Sequence, residues 1–150
     1  DSAVVESILP VVYALFPETN INDKDTRARE LANAISSSTV FHEGTHAMID
    51  SKPGSKMSQD LEIDDPNGET STMIDEGITY ALQGIYAKED YLIPDVKQDD
   101  RIEVQVRKRL GEKLRPKIKE LIDTDKVVDK KFLQVCLKEL EQVKIERQRQ

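Results

Sequence analysis

Residues 99–122, DDRIEVQVRKRLGEKLRPKIKELI, carry apolar side chains at steps of three and four residues. The apolar stripe consists of Val106, Leu110, Leu114, Ile118 and Leu121. An α-helix has 3.6 residues per turn, so side chains at this spacing line one face of it. The segment therefore predicts an amphipathic helix that buries one face.

A second segment of the same kind occupies residues 129–146, DKKFLQVCLKELEQVKIE. Its stripe consists of Phe132, Cys136, Leu140 and Val143. Cys136 is the single cysteine of the chain, which excludes an intramolecular disulfide. Its place on the stripe predicts core packing, since free cysteine is among the most buried residue types. The chain is thus predicted to end in two amphipathic helices.

The rest of the chain also shows helical periodicity. Helices are predicted over residues 2–16, 26–50 and 70–87, and Pro10 is expected to kink or divide the first of them. Strand signals are nearly absent. With 150 residues, the chain has the length of one domain with a real core. The sequence predicts a single mainly α domain over 1–150, a bundle of about five helices with little or no β-sheet.

Residues 51–69 are predicted to be an irregular connection. Asp64, Asp65 and Asn67 within it resemble a fragment of a calcium-binding loop, but the Asp-x-Asp-x-Asp-Gly spacing is not met. We therefore expect an ordinary acidic turn. A connection this long inside a compact domain is typical of a functional or mobile loop.

The net charge of −7 conceals two halves of opposite sign. Residues 1–100 hold 20 acidic and 7 basic residues, whereas residues 101–150 hold 9 acidic and 15 basic residues. The halves are expected to attract one another within the domain. The alternative is that the basic half binds an acidic partner or nucleic acid. Because this half lacks aromatic residues between its basic ones, no nucleic acid is expected. No apolar run approaches the roughly 20 residues that span a bilayer, so no membrane span is expected.

The two histidines of the chain, His42 and His46, stand in the segment TVFHEGTH of residues 39–46. On a helix, residues four apart lie on one face, so both imidazoles can bind a single Zn²⁺. Glu43 points away from the ligand direction and can accept a proton from water at the metal. The alternative is a pair of ordinary helical histidines. The motif favours a zinc site with Glu43 as general base.

A catalytic zinc commonly has three protein ligands, so a third donor is expected downstream. Glu76 follows His46 by 30 residues, enough for a loop and an antiparallel helix. The adjacent Gly77 has no side chain, which is expected to let this helix approach the motif helix closely. We predict Glu76 as the third ligand. Asp75 stays open as the alternative, because a small rotation of the helix would exchange the two carboxylates.

The combination of HEGTH at residues 42–46 with DEGITY at residues 75–80 resembles the gluzincin group of zinc metallopeptidases. The resemblance covers about residues 39–82 and implies His42, His46 and Glu76 as zinc ligands and Glu43 as base. Gluzincins place an antiparallel sheet before the motif helix. The helical pattern here therefore implies either a reduced helical variant with a zincin-like helix pair or a sheet upstream of this segment.

These observations predict zinc-dependent hydrolysis of peptide bonds in a peptide or protein substrate, with Glu43 activating a zinc-bound water. Tyr80 lies four residues after Glu76 on the same face and is the candidate oxyanion donor, unless it is a packing tyrosine. The alternatives are a non-catalytic zinc-binding interaction module and a regulatory protease with a single target.

The first residue is Asp1 rather than Met, which favours an extracytoplasmic location after removal of an upstream segment.

Overall fold

The computed structural model of the chain describes residues 15, 49, 51, 53–86 and 101–149. Residues 53–86 and 101–149 form four helices: α1 (Lys56–Leu61), α2 (Glu69–Tyr86), α3 (Ile102–Asp123) and α4 (Lys130–Gln148). The described residues include no β-strand. The predicted mainly α fold is confirmed. The helices predicted over 70–87, 99–122 and 129–146 are confirmed as α2, α3 and α4, whereas those over 2–16 and 26–50 lie outside the described residues, apart from Leu15 and Ile49.

The prediction of an irregular connection over 51–69 was wrong for residues 56–61, which form α1. The side chain of Ser55 caps this helix by accepting a hydrogen bond from the backbone N–H of Ser58, 3.2 Å away. Met57 and Leu61 lie four residues apart and are both buried. Six residues are too few to show a helical period in the sequence, but one cap and two buried side chains stabilise a short helix here.

Two glycines allow α2 and α3 to pack closely against each other. A Cβ atom built on Gly77 would lie 2.6 Å from Cδ2 of Leu110, and one built on Gly111 would lie 2.5 Å from Cβ of Tyr80. Because neither glycine has a side chain, the two helices approach more closely than other residues would allow. The Cβ direction of Gly77 faces Leu110 of α3. The motif helix that Gly77 was expected to approach lies outside the described residues, so that expectation stays a prediction.

The core forms where the buried stripes of α2, α3 and α4 meet. The predicted stripe residues Leu110, Leu114, Ile118, Cys136 and Leu140 are all buried in one hydrophobic cluster. Leu15 and Ile49 belong to the same cluster, so both predicted N-terminal segments contribute at least one side chain to this core.

Among the residues that the structure describes, no helix is long and apolar enough to cross a membrane.

The short helix α1 is fixed to α4 by polar contacts. The side-chain amide of Gln134 donates hydrogen bonds to the carbonyl oxygens of Asp60 and Leu61, at 3.0 and 2.9 Å. Lys130 pairs with Glu62, just beyond the end of α1. The two bonds from Gln134 satisfy carbonyl groups that a helix end leaves without a partner in the helix. The connection between residues 51 and 69 is therefore held against α4 by specific contacts.

Candidate functional site

Helix α2 carries a line of buried polar side chains. Ser71, Asp75, Thr79 and Gln83 follow one another at steps of four residues, and all four are buried. From residue 77 to residue 83 every residue of the helix is buried, so this part of α2 has no solvent face. Polar groups in such a position require hydrogen-bond partners, because burying them without partners is costly. Their concentration on the helix that bears Glu76 marks α2 as the candidate site helix.

Asp75 is 4% exposed and accepts two hydroxyl hydrogen bonds. The hydroxyl of Ser51 donates to Oδ2 at 2.8 Å, and the hydroxyl of Thr79 donates to Oδ1 at 3.3 Å. Ser51 directly follows the segment predicted to form the motif helix, and His46 is five residues before it in sequence. The Asp75 carboxylate thus ties Ser51, the residue after that segment, to α2.

Glu76 faces a different element. Its Oε1 lies 3.7 Å from Nη1 of Arg107 on α3, and the two side chains are 17% and 23% exposed. The ion pair is longer than a hydrogen bond and therefore acts mainly through charge. The neighbouring carboxylates of Asp75 and Glu76 are consequently turned toward Ser51 and toward α3, respectively.

Arg107 is a residue that the sequence reasoning missed. It precedes Leu110 of the predicted stripe by three residues and Gly111 by four, so it lies on the side of α3 that faces α2. Its Nε is buried and has no hydrogen-bond partner among the described residues. In the sequence, Arg107 can be recognised only as a basic residue next to the apolar stripe of α3. The fold shows that its partner is the carboxylate of Glu76.

Tyr80, the candidate oxyanion donor, is buried at the α2–α3 contact. Its Cβ lies against the space that a side chain at Gly111 would fill. This position fits the packing alternative for its ring, and the role of its hydroxyl stays a prediction. Tyr80 and Glu76 therefore lie on the part of α2 that packs against α3.

The predicted residues His42, Glu43 and His46 lie outside the described residues. Within the part of the chain that the structure describes, no group of three or more His, Cys, Asp or Glu could hold a metal ion. Of the proposed ligands, Glu76 alone is described. Its partly buried carboxylate is a suitable oxygen donor for zinc, and the chemistry of the full donor set, two imidazoles and one carboxylate, fits a catalytic zinc.

The turn that contains Asp65 serves α2 as a cap. The Asp65 carboxylate accepts hydrogen bonds from the backbone N–H groups of Thr70 and Ser71, at 3.1 and 3.0 Å, and from the Ser71 hydroxyl at 2.9 Å. These donors belong to the first turn of the helix, whose N–H groups have no partner within the helix. The Asp65 carboxylate therefore caps the N-terminus of α2, in agreement with the expectation of an acidic turn.

A separate surface pocket of about 170 Å³ lies between α3 and α4. It is lined by Gln105, Lys108, Arg109, Glu112, Val143, Glu146 and Arg147. Glu112 pairs with Arg109, and Glu146 accepts a hydrogen bond from Lys113 at 2.8 Å. That bond lowers the pKa of Glu146. The pocket includes none of the residues predicted for the zinc site, and both of its carboxylates, Glu112 and Glu146, pair with cations of α3.

Comparison with protein-family models, with curated proteins and with solved structures finds no match to this chain.

Proposed function

We propose that this chain is a zinc-dependent peptidase of the gluzincin type, with His42, His46 and Glu76 as metal ligands. The observation that carries the proposal is the Ser51–Asp75 hydrogen bond, 2.8 Å long. It joins the end of the segment that bears the HEGTH motif to the turn of α2 that bears Glu76. His46 precedes Ser51 by five residues, about 7.5 Å of helix if that segment is helical as predicted. Two histidines and a glutamate form a donor set that is typical of catalytic zinc.

The two carboxylates of α2 have different parts in this proposal. Asp75 is almost fully buried and accepts the hydroxyls of Ser51 and Thr79, which fits an anchoring role. Glu76 is more exposed, so its carboxylate is the more accessible to an ion and its substrate. The proposal therefore assigns metal ligation to Glu76 and helix anchoring to Asp75.

The remaining chemistry is assigned to residues of the chain. Zinc, when bound, supplies Lewis acidity that polarises a peptide carbonyl and makes water more acidic. Glu43 accepts the proton of the attacking water and passes it to the leaving amine. Tyr80 is the candidate donor to the oxyanion of the tetrahedral intermediate. The bond from the water oxygen to the carbonyl carbon forms first and gives the tetrahedral intermediate. The C–N bond breaks when this intermediate collapses, and the amine leaves with the proton that Glu43 passes to it.

The test measures zinc content and peptide cleavage in wild type and in Glu43→Gln, Glu76→Gln and Glu112→Gln. We expect Glu43→Gln to keep its zinc and to lose cleavage by about 10²–10⁴-fold, because it lacks the base but keeps the ligands. Glu76→Gln is expected to lose zinc. Glu112 pairs with Arg109 at 3.1 Å on the surface of α3, so Glu112→Gln is the matched control and should change neither quantity.

Each other outcome has a definite meaning. Equal zinc content in wild type and Glu76→Gln would remove Glu76 from the ligand set, and an Asp75→Asn variant then tests the alternative carboxylate. Zinc binding without cleavage of any peptide in a broad library would favour the non-catalytic zinc-binding module. Cleavage confined to one folded protein would favour the single-target regulatory protease.

A further inference from the structure

Helix packing brings one cation next to the proposed zinc ligand. Gly77, which follows Glu76 on α2, leaves the space in which the side chain of Leu110 lies. Arg107 is one helical turn before Leu110 on the same side of α3. The close approach of α3 at Gly77 therefore sets the 3.7 Å separation between Arg107 and Glu76.

The surroundings of Arg107 differ from those of a surface arginine. Its side chain is 23% exposed, and its buried Nε has no hydrogen-bond partner among the described residues. Burying a donor without a partner costs folding free energy, so this position of Arg107 is unfavourable unless its charge contributes to function. Arg109, two residues later, has a side chain that is 51% exposed and pairs with Glu112 on the surface. Such an exposed pair contributes little to stability and serves as an internal reference.

We infer that Arg107 is the positioning residue that holds Glu76 ready to bind the metal, an inference that rests on the proposed function. A glutamate side chain has three rotatable bonds, and ordering it costs entropy when the ion binds. The guanidinium charge near Oε1 attracts the carboxylate and restricts where it lies. Arginine also repels a cation, but partners that orient a metal ligand typically raise metal affinity by about 10–100-fold.

The inference is tested by the zinc affinity of Arg107→Gln, measured in competition with a coloured chelator. We expect affinity to fall by about 10–100-fold relative to wild type. Arg109→Gln removes a cation two residues away and is expected to keep wild-type affinity. The absorption spectrum of the cobalt-substituted protein supplies a second readout, and it should change for Arg107→Gln because the geometry of the Glu76 ligand changes.

The conservative variant Arg107→Lys separates charge from packing. It retains the cation, so we expect its zinc affinity to lie closer to wild type than to Arg107→Gln. Equal loss in both variants would overturn a role for the charge and show that the arginine side chain acts by packing. Wild-type affinity in Arg107→Gln, together with lost affinity in Glu76→Gln, would overturn the positioning role and leave the zinc site standing. No zinc binding by wild type would overturn both proposals.

A measurement without metal checks that the two residues are coupled in the fold itself. A double-mutant cycle with Arg107→Gln and Glu76→Gln, in urea unfolding of the metal-free protein, gives the coupling free energy of the pair. The Arg109–Glu112 pair is measured in the same way as the reference. We expect the half-buried pair to be more strongly coupled than the exposed one, because less water screens it. Equal or weaker coupling would contradict the inference.

Discussion

Cys136 lies in the middle of α4, fully enclosed by the hydrophobic cluster. Burial raises the pKa of its thiol to about 12, because the interior disfavours the charged thiolate. Thiolate rather than thiol is the nucleophile in exchange reactions. The role of Cys136 in this protein is therefore packing, as its position on the apolar stripe predicts.

In the native protein at pH 8, Cys136 is expected to resist labelling by a thiol-specific reagent such as a chromogenic aromatic disulfide. With a pKa of about 12 the thiolate fraction is roughly 10⁻⁴, whereas an ordinary cysteine thiol is about one tenth or more ionised. Labelling should instead follow the unfolding equilibrium and become fast in concentrated urea. Rapid labelling under native conditions, at a rate independent of urea, would contradict the buried position.

At the scale of single elements, α2 depends on the turn that precedes it. Partial burial raises the pKa of Asp65, but hydrogen bonds from the backbone of Ser71 and Thr70, the Ser71 hydroxyl and the backbone of Glu69 outweigh this and lower the pKa below its ordinary value. A lowered pKa in the folded state means that the ionised carboxylate stabilises the fold. This contribution is present above the ordinary pKa of aspartate and is lost as pH falls through the lower folded-state pKa.

Asp65→Asn is expected to lower the free energy of unfolding by about 1–2 kcal/mol at pH 7, because the amide NH₂ replaces an oxygen that accepts backbone hydrogen bonds. The gap between wild type and variant should shrink as the pH falls from about 4 through the lower folded-state pKa, because the carboxyl is protonated first in the unfolded and then in the folded wild type. Urea unfolding across this pH range measures both effects. Asp64→Asn changes the exposed neighbouring aspartate and is the control. A gap that stays constant with pH would contradict the charged cap.

The contact between α2 and α3 allows a prediction for two glycines of different surroundings. A Cβ atom at Gly111 would meet Cβ of Tyr80 at 2.5 Å and the carbonyl oxygen of Gly77 at 3.2 Å, groups fixed by the backbone. The three atoms nearest to a Cβ at Gly84 belong to the guanidinium end of Arg115, an exposed side chain that can move aside. Gly111→Ala should therefore separate the helices, whereas Gly84→Ala should not.

In thermal or urea unfolding, Gly111→Ala is expected to destabilise the protein by about 1–3 kcal/mol from overpacking. Gly84→Ala is expected to be neutral or to stabilise by up to about 1 kcal/mol, because alanine has the higher helix propensity. Both variants gain the same methyl group and the same propensity. Their difference thus reports the close contact alone, and equal stability of the two would contradict it.

These elements show what the sequence could and could not predict. The bounds of α2, α3 and α4 follow from apolar periodicity over four or more turns, which is a local signal. The helix α1 is shorter than two turns and was missed for that reason. The pairing of Glu76 with Arg107 joins residues 31 apart in sequence, and the partner of Gly77 depends on which helix packs against it. Contacts of this kind depend on how the helices are arranged, and periodicity within one helix does not contain that information.

On the scale of the whole molecule, the acidic and basic parts of the chain meet at defined pairs. Arg107 on α3 faces Glu76, and Lys130 on α4 pairs with Glu62, so both pairs join the basic last third to the acidic region before it. The backbone N–H of Val128 also donates a hydrogen bond to the carbonyl of Leu15, 2.8 Å away. The C-terminal helices are thus connected by charge and backbone contacts to earlier parts of the chain.

If zinc joins His42 and His46 to Glu76, it links two distant stretches of the chain and should stabilise the folded state. A ligand that binds only the native protein adds RT ln(1 + [L]/Kd), about 4 kcal/mol at 1,000 times Kd. For a chain of 150 residues this corresponds to a rise in Tm on the order of 10 °C. We expect zinc to raise, and a strong chelator to lower, the Tm of wild type, and His46→Ala and Glu76→Gln to lose most of this response. Magnesium is the control for binding to the acidic surface and should not reproduce the shift. An equal zinc response in wild type and His46→Ala would show that the stabilising ion binds elsewhere, and the proposed ligand set would fall.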